Sequence, residues 1–180
     1  MSRRSLRRWL QALQPGPAPA PARDVARFAI GAAVGIGLTA LLMRWLAVPL
    51  DLRTWLVAPL GASAVLVFAL PASPLAQPWA VVLGNTLSAL VGVLCVTLVP
   101  DTALAAGLAV GLAIALMCLC RCLHPPGGAV ALLAVIGQVT QWQFALLPVG
   151  LDALLLVGVG MLWHPLGGRS YPHQDSRLRS

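Results

Sequence analysis

Apolar residues run through this chain in long blocks, and the polar or Pro/Gly residues between them mark where elements should end. The first block, Val25 to about Ala47, would reach roughly 34 Å as a helix at about 1.5 Å per residue, enough to cross a bilayer. Three more blocks have comparable length: Trp79–Val99, Ala103 to about Cys122, and Phe144–Trp163. Two further apolar stretches are shorter. Trp55–Phe68 is interrupted near its start by Pro59 and Gly61, and Pro125 and Pro126 open the other. Residues 54–70 would reach about 25 Å and residues 125–137 about 20 Å, against a hydrocarbon core of about 30 Å. The pattern predicts an all-α polytopic membrane protein with four long transmembrane helices and two short Pro/Gly-opened segments, either re-entrant or spanning. Four or six crossings are both even, so both ends of the chain belong on one side.

Within the long blocks, small residues recur every four positions. Gly31 and Gly35 form one such face, Gly84, Ser88 and Gly92 a second, and Gly107 and Gly111 a third. Small residues at this spacing let helix backbones approach closely in lipid. The helix bearing Gly84 also carries Asn85 and Thr86, and it is expected to pack tightly on a neighbour.

Composition agrees. Hydrophobic residues make up 59% of the chain and charged residues 9%, with a mean hydropathy of +0.86, more apolar surface than one soluble core could hide. The six tryptophans fall at or near block ends, where a bilayer's two interfaces would lie. All 12 basic residues are arginine, and most of the +7 net charge sits in the two tails, where it reads as a topology signal and as attraction to anionic lipid rather than nucleic-acid binding. Residues 1–22 form a basic tail with helical spacing of Leu6, Trp9, Leu10 and Leu13, followed by a Pro/Ala linker. Residues 23–166 form the transmembrane domain, and 167–180 a polar, basic C-terminal tail. The arginine clusters place both tails in the cytoplasm of a cell with an inner membrane.

Candidate chemistry concentrates in Arg121-Cys122-Leu123-His124-Pro125-Pro126-Gly127-Gly128-Ala129. A cation, an imidazole, two prolines and a glycine pair are all costly in lipid. Prolines suit the first turn of a helix, so a helix N-terminus held inside the protein is expected here. Arg121, His124 and the N–H groups after Pro126 could then bind an anion. His124 could also exchange a proton near neutral pH. Pro59, Gly61 and Ser63 form a weaker version of the same opening. Asp152 lies in the last block, where an ionised carboxylate needs a partner. It is a candidate proton relay or partner of Arg121. Asn85 and Ser63 are candidate ligands, though hydrogen bonds between helices explain them, and Thr86, better.

Cys118, Cys120 and Cys122 beside His124 do not suggest a metal site, because residues two apart on a helix face opposite ways. No metal or other cofactor is expected. No nucleophile–base pair or phosphate loop is present, so an enzyme is not expected either. A shift of 66 positions aligns Pro59 with Pro125, Gly61 with Gly127, and Leu90-Val91-Gly92-Val93 with Leu156-Val157-Gly158-Val159. That register suggests a two-fold internal repeat, and paired interrupted segments point to a transporter binding site.

His124-Pro125-Pro126 followed by small residues, together with APLGASAVLVFALPASPLAQPW (Ala58–Trp79), LSALVGVL (Leu87–Leu94) and Tyr171-Pro172, resembles the HPP family of integral membrane proteins. The resemblance runs from about Trp55 to Pro172. It implies a four-helix membrane protein that acts as a transporter, with plastid relatives pointing to small anions such as nitrite. Some relatives carry a soluble CBS domain; none is recognisable here, so no nucleotide sensor is expected. The resulting expectation is a transporter or channel for a small inorganic anion, coupled to protons through His124 or Asp152. Its substrate site would take in Arg121, His124, Pro125, Pro126, Gly127, Gly128, Pro59, Gly61, Ser63 and Asn85. Four long spans make a narrow pathway, so a homo-oligomer is expected. The alternative is a non-transporting scaffold or subunit of a larger membrane complex.

Overall fold

The structure, a computed structural model, describes residues 20–45 and 50–173, with 50–57 described by their backbone alone. The basic amphipathic helix expected over residues 1–13, most of the Pro/Ala linker and the last seven residues lie outside the described part.

Among the described residues six α-helices follow in order: α1 (Ala22–Trp45), α2 (Leu50–Ala69), α3 (Pro78–Leu98), α4 (Thr102–Leu119), α5 (Pro125–Ile136) and α6 (Leu151–Trp163). Among the described residues four segments are long and apolar enough to cross a membrane: α1, α3, α4 and the 26-residue stretch Trp142–Gly167 that contains α6. Ala58–Ala69 and Pro125–Ile136 are the shorter apolar helices. The two Pro/Gly-opened segments are therefore helical, and α2 begins earlier than the sequence suggested. α4 stops at Leu119 rather than near Cys122.

The last span is not one continuous helix. A 3-10 turn (Trp142–Ala145) and a π-turn (Leu146–Gly150) precede α6, and Leu147 leaves helical geometry at φ −128°, ψ 108°. Pro148 accounts for the break, because it supplies no N–H to the preceding turn and disfavours the helical region for Leu147.

Packing follows the small-residue faces. On α1 only a stripe at every fourth residue is buried, Gly31, Gly35, Thr39 and Met43, while Ile30, Leu38 and Leu41 remain exposed as lipid-facing residues would. A Cβ at Gly31 would stand 2.7 Å from the Phe68 ring and 2.6 Å from the Trp163 indole nitrogen, so glycine lets α1 lie directly on α2 and α6. The stripe on α3 docks α5: the Cβ sites of Gly84 and Gly92 crowd His124 and Ala134, and the Ser88 hydroxyl crowds the Cβ site of Gly127. That order makes α3 and α5 run parallel. The chain then leaves the far end of α5, and Phe144 enters the cluster with Ala89 and Val93 before α6 returns.

On α4, Gly107 and Gly111 meet nothing within 4 Å. The buried ladder there is Ala105, Ala109, Ala113 and Met117. Asp101 caps this helix, its carboxylate accepting from Leu104 N at 2.7 Å.

Both ends of the described chain meet at one end of the bundle, where Arg169 pairs with Asp24 at 2.9 Å. Tyr171 is buried there and its hydroxyl donates to the Ala76 carbonyl at 2.8 Å, so packing continues into the segment read as a polar tail. Burial pushes the Tyr171 phenol up.

Candidate functional site

The turn from α4 to α5 is built by a helix stop and a helix start placed back to back. Cys122 N donates to Met117 O at 2.8 Å and Arg121 N to Cys118 O at 3.1 Å, the paired bonds of a Schellman stop. Arg121 takes the left-handed position of that stop, with φ 54°, where glycine is the usual occupant. Its side chain is exposed, while Cys122 beneath it is fully buried against the α3 backbone at Gly84. Trp79 at the start of α3 ties down the same turn by donating from its indole nitrogen to Cys120 O at 3.2 Å.

His124 then enters the bundle with no exposed surface. Its Nδ1 lies 2.8 Å from the Leu75 carbonyl, which can only accept, so Nδ1 carries a proton. Nε2 lies 2.8 Å from the Ser63 hydroxyl of α2. Ser63 also lies 3.3 Å from the Pro59 carbonyl one turn back, and it accepts from Asn85 Nδ2 of α3 at 3.3 Å. One hydroxyl proton therefore has two destinations. With a neutral ring, Ser63 donates to Nε2. With a protonated ring, Nε2–H donates to Ser63, whose hydroxyl turns to Pro59. Either state leaves every ring nitrogen satisfied, and one hydroxyl rotation separates the two arrangements.

Asn85 is fixed in orientation, because its Nδ2 also faces the Val81 carbonyl at 2.9 Å. Among the described residues its Oδ1 has no protein donor, and neither does Asp152 Oδ1. Both residues are buried and line one cavity of about 10 Å³ with Pro59, Leu60, Ser63, Val130 and Val149, room for about one water-sized group. Asp152 sits in the first turn of α6, directly after the Pro148 break.

The structure thus gathers Pro59, Ser63, Asn85, His124 and Asp152 from three helices, α2, α3 and α6, and the turn before α5. The segments around Pro59 and Pro125 meet as the sequence suggested, but Pro59 lies inside α2 and does not open it. Arg121 stays outside this cluster, and among the described residues it has no ion pair with Asp152. Gly61 meets nothing within 4 Å and Gly128 only Val110, at 4.0 Å. Pro125 is exposed, whereas Pro126 and Gly127 are buried. The end of α5 offers fewer donors than expected. Pro125 and Pro126 have no N–H, and Gly127 N is committed to His124 O at 2.8 Å. Cys118 and Cys120 are exposed and Cys122 is buried, so the cysteines do not converge. Among the described residues no three metal-binding side chains cluster.

Sequence reading missed His164. It is 3% exposed, its Nε2 lies 2.9 Å from the Val67 carbonyl of α2, and its ring stacks on Phe68. The signal was present: His164-Pro165-Leu166-Gly167-Gly168 nearly repeats His124-Pro125-Pro126-Gly127-Gly128.

Apolar helices with a buried polar cluster between them define a polytopic helical membrane protein. Residues 17–172 match the family model described as HPP, transmembrane region, and the chain belongs to that family. It is 40% identical over 119 residues to one transmembrane protein of Dictyostelium discoideum, covering 62% of this chain and 42% of that protein. It is 34% identical over 146 residues to a second transmembrane protein of the same organism, covering 76% of this chain and 47% of that protein. The chain thus spans less than half the length of these relatives. No solved structure matches it.

Proposed function

We propose that this protein carries a small inorganic anion of the nitrite type across an inner membrane together with protons. The observation that carries the reading is the Asp152–Asn85–Ser63–His124 cluster, a polar path buried among apolar helices. Ionisable groups inside a membrane domain are costly, and their usual justification is an ion or proton pathway. Two unpaired acceptor oxygens around one small cavity suit a proton-bearing guest, so the cluster serves the proton and Arg121 at the turn above it attracts the anion. An arginine held in a left-handed conformation favours that role, because strain of this kind persists where the side chain is needed. In this reading Pro59, inside α2, and Pro125, at the start of α5, bring their two segments together at the site. A pathway this narrow makes the working unit a homo-oligomer with both termini in the cytoplasm, and the protein is not an enzyme.

One observation favours the scaffold alternative. His124 is fully hydrogen-bonded and tightly packed, as a purely structural histidine would be.

The test is nitrite and proton flux into liposomes carrying the full chain, beside Arg121→Gln, His124→Gln and Asp152→Asn at equal incorporation. The reading expects Arg121→Gln to lose nitrite flux and Asp152→Asn to lose the proton flux that accompanies nitrite. Absence of flux for any small anion, or flux indifferent to all three changes, moves the protein to the scaffold reading.

A further inference from the structure

Three arginines at the end of the bundle where the described chain ends meet serve neither the buried cluster nor the α4–α5 turn. Arg23 and Arg27 lie one turn apart on the same face of α1, and Arg169 comes from the segment after α6. With Asp24 and Gly167 they line a cleft of about 430 Å³. Asp24 is the single carboxylate in it and is engaged with Arg169 at 2.9 Å. Arg23 and Arg27 have no ion pair among the described residues. The cleft therefore carries an excess of two positive charges.

The cleft is also held in shape. The Arg169 guanidinium lies over the Phe28 ring at 4.9 Å while Asp24 grips it from the side. Gly167 leaves room for Arg27, since a Cβ there would overlap the Arg27 guanidinium. Immediately along α1, Val25 and Ile30 are exposed and apolar, so the cleft opens where a membrane-crossing helix meets the bilayer surface. Lipid phosphates lie at that level.

We infer that the cleft between the start of α1 and the segment after α6 binds the phosphate of an acidic phospholipid. Planar guanidiniums match phosphate oxygens in pairs, and two uncompensated charges match a phosphate monoester or a diester with an acidic headgroup. The acyl chains then run down the apolar flank of α1. A free phosphate shares the headgroup chemistry but gains nothing from that flank.

The experiment places the full chain in nanodiscs of mixed phosphatidic acid and phosphatidylcholine and counts retained lipids by native mass spectrometry. The wild type should retain phosphatidic acid over phosphatidylcholine. Arg23→Gln and Arg27→Gln should each weaken that preference about fivefold. Asp24→Asn should change it in the other direction, because it frees Arg169. Gly167→Val should weaken it by displacing Arg27 while leaving all charges in place. Thermal melts of each variant confirm folding. Millimolar inorganic phosphate should leave the retained lipid in place. Equal retention of the two lipids, arginine variants that match the wild type, or displacement of the lipid by inorganic phosphate would each overturn the proposal.

Discussion

Gly84 of α3 and His124 at the start of α5 are in direct contact: a Cβ on Gly84 would stand 2.8 Å from His124 Cβ and 2.7 Å from the Cys122 carbonyl oxygen. One of those neighbours is backbone and cannot rotate away. Gly84→Ala should therefore destabilise the protein by roughly 1–3 kcal/mol, as overpacking does. Gly107→Ala on α4 meets open space. It should instead be neutral or stabilising by about 0.5–1 kcal/mol through helix propensity. Thermal unfolding in one detergent compares the two, and a Gly84→Ala melt equal to wild type would remove the close α3–α5 approach from the account.

Ser63 is the joint on which His124 and Asn85 both depend. Ser63→Ala deletes the hydroxyl at 2.8 Å from Nε2 and 3.3 Å from Asn85 Nδ2, leaving two buried groups short of a partner. The expected cost is roughly 1–3 kcal/mol. The same change should uncouple protons from nitrite, because His124 loses the hydroxyl whose rotation accommodates both ring states. Proton-coupled flux that survives Ser63→Ala would separate the histidine from the transport reading.

Asp152→Asn is expected to behave differently from Ser63→Ala. The amide keeps the size of the carboxylate and brings N–H donors to a cavity where Asn85 Oδ1 has none. Stability should be unchanged or higher, while proton-coupled flux falls to background. A variant that loses stability and flux together would instead assign Asp152 a structural role.

The long spans were legible because a block of apolar residues long enough to cross a bilayer has few other uses. The α1 and α3 faces were legible because glycine or serine at every fourth residue is a packing device on a helix that lies in lipid. α4 shows where that rule stops. It is apolar on every side, so nothing in its sequence marks Ala105, Ala109 and Ala113 as buried in preference to Gly107 and Gly111, and the partner decides. The meeting of Pro59 and Pro125 segments could be read, but the Ser63–His124 bond needed the side-chain geometry. Pro148 was a visible break that an apolar average over Phe144–Trp163 conceals. Arg121 was read only as a charge. Its left-handed backbone depends on where α4 ends, and that boundary lay three residues before the expected one.

Arg121 lets backbone and charge be separated in one residue. At φ 54° a side chain costs about 1 kcal/mol relative to glycine. Gln138 takes the same place in the stop of α5, with φ 50° and the same pair of bonds, Val139 N to Ala134 O at 2.9 Å and Gln138 N to Val135 O at 3.1 Å. Arg121→Gly and Gln138→Gly should therefore both raise stability by about 1 kcal/mol, by the same mechanism. They should part in flux. If the arginine is kept for its charge, Arg121→Gly gives a more stable protein that no longer moves nitrite, whereas Gln138→Gly is more stable and transports normally. Melts and flux on the two variants side by side decide it: equal transport would show that the residue at this turn is held by nothing more than the helix stop.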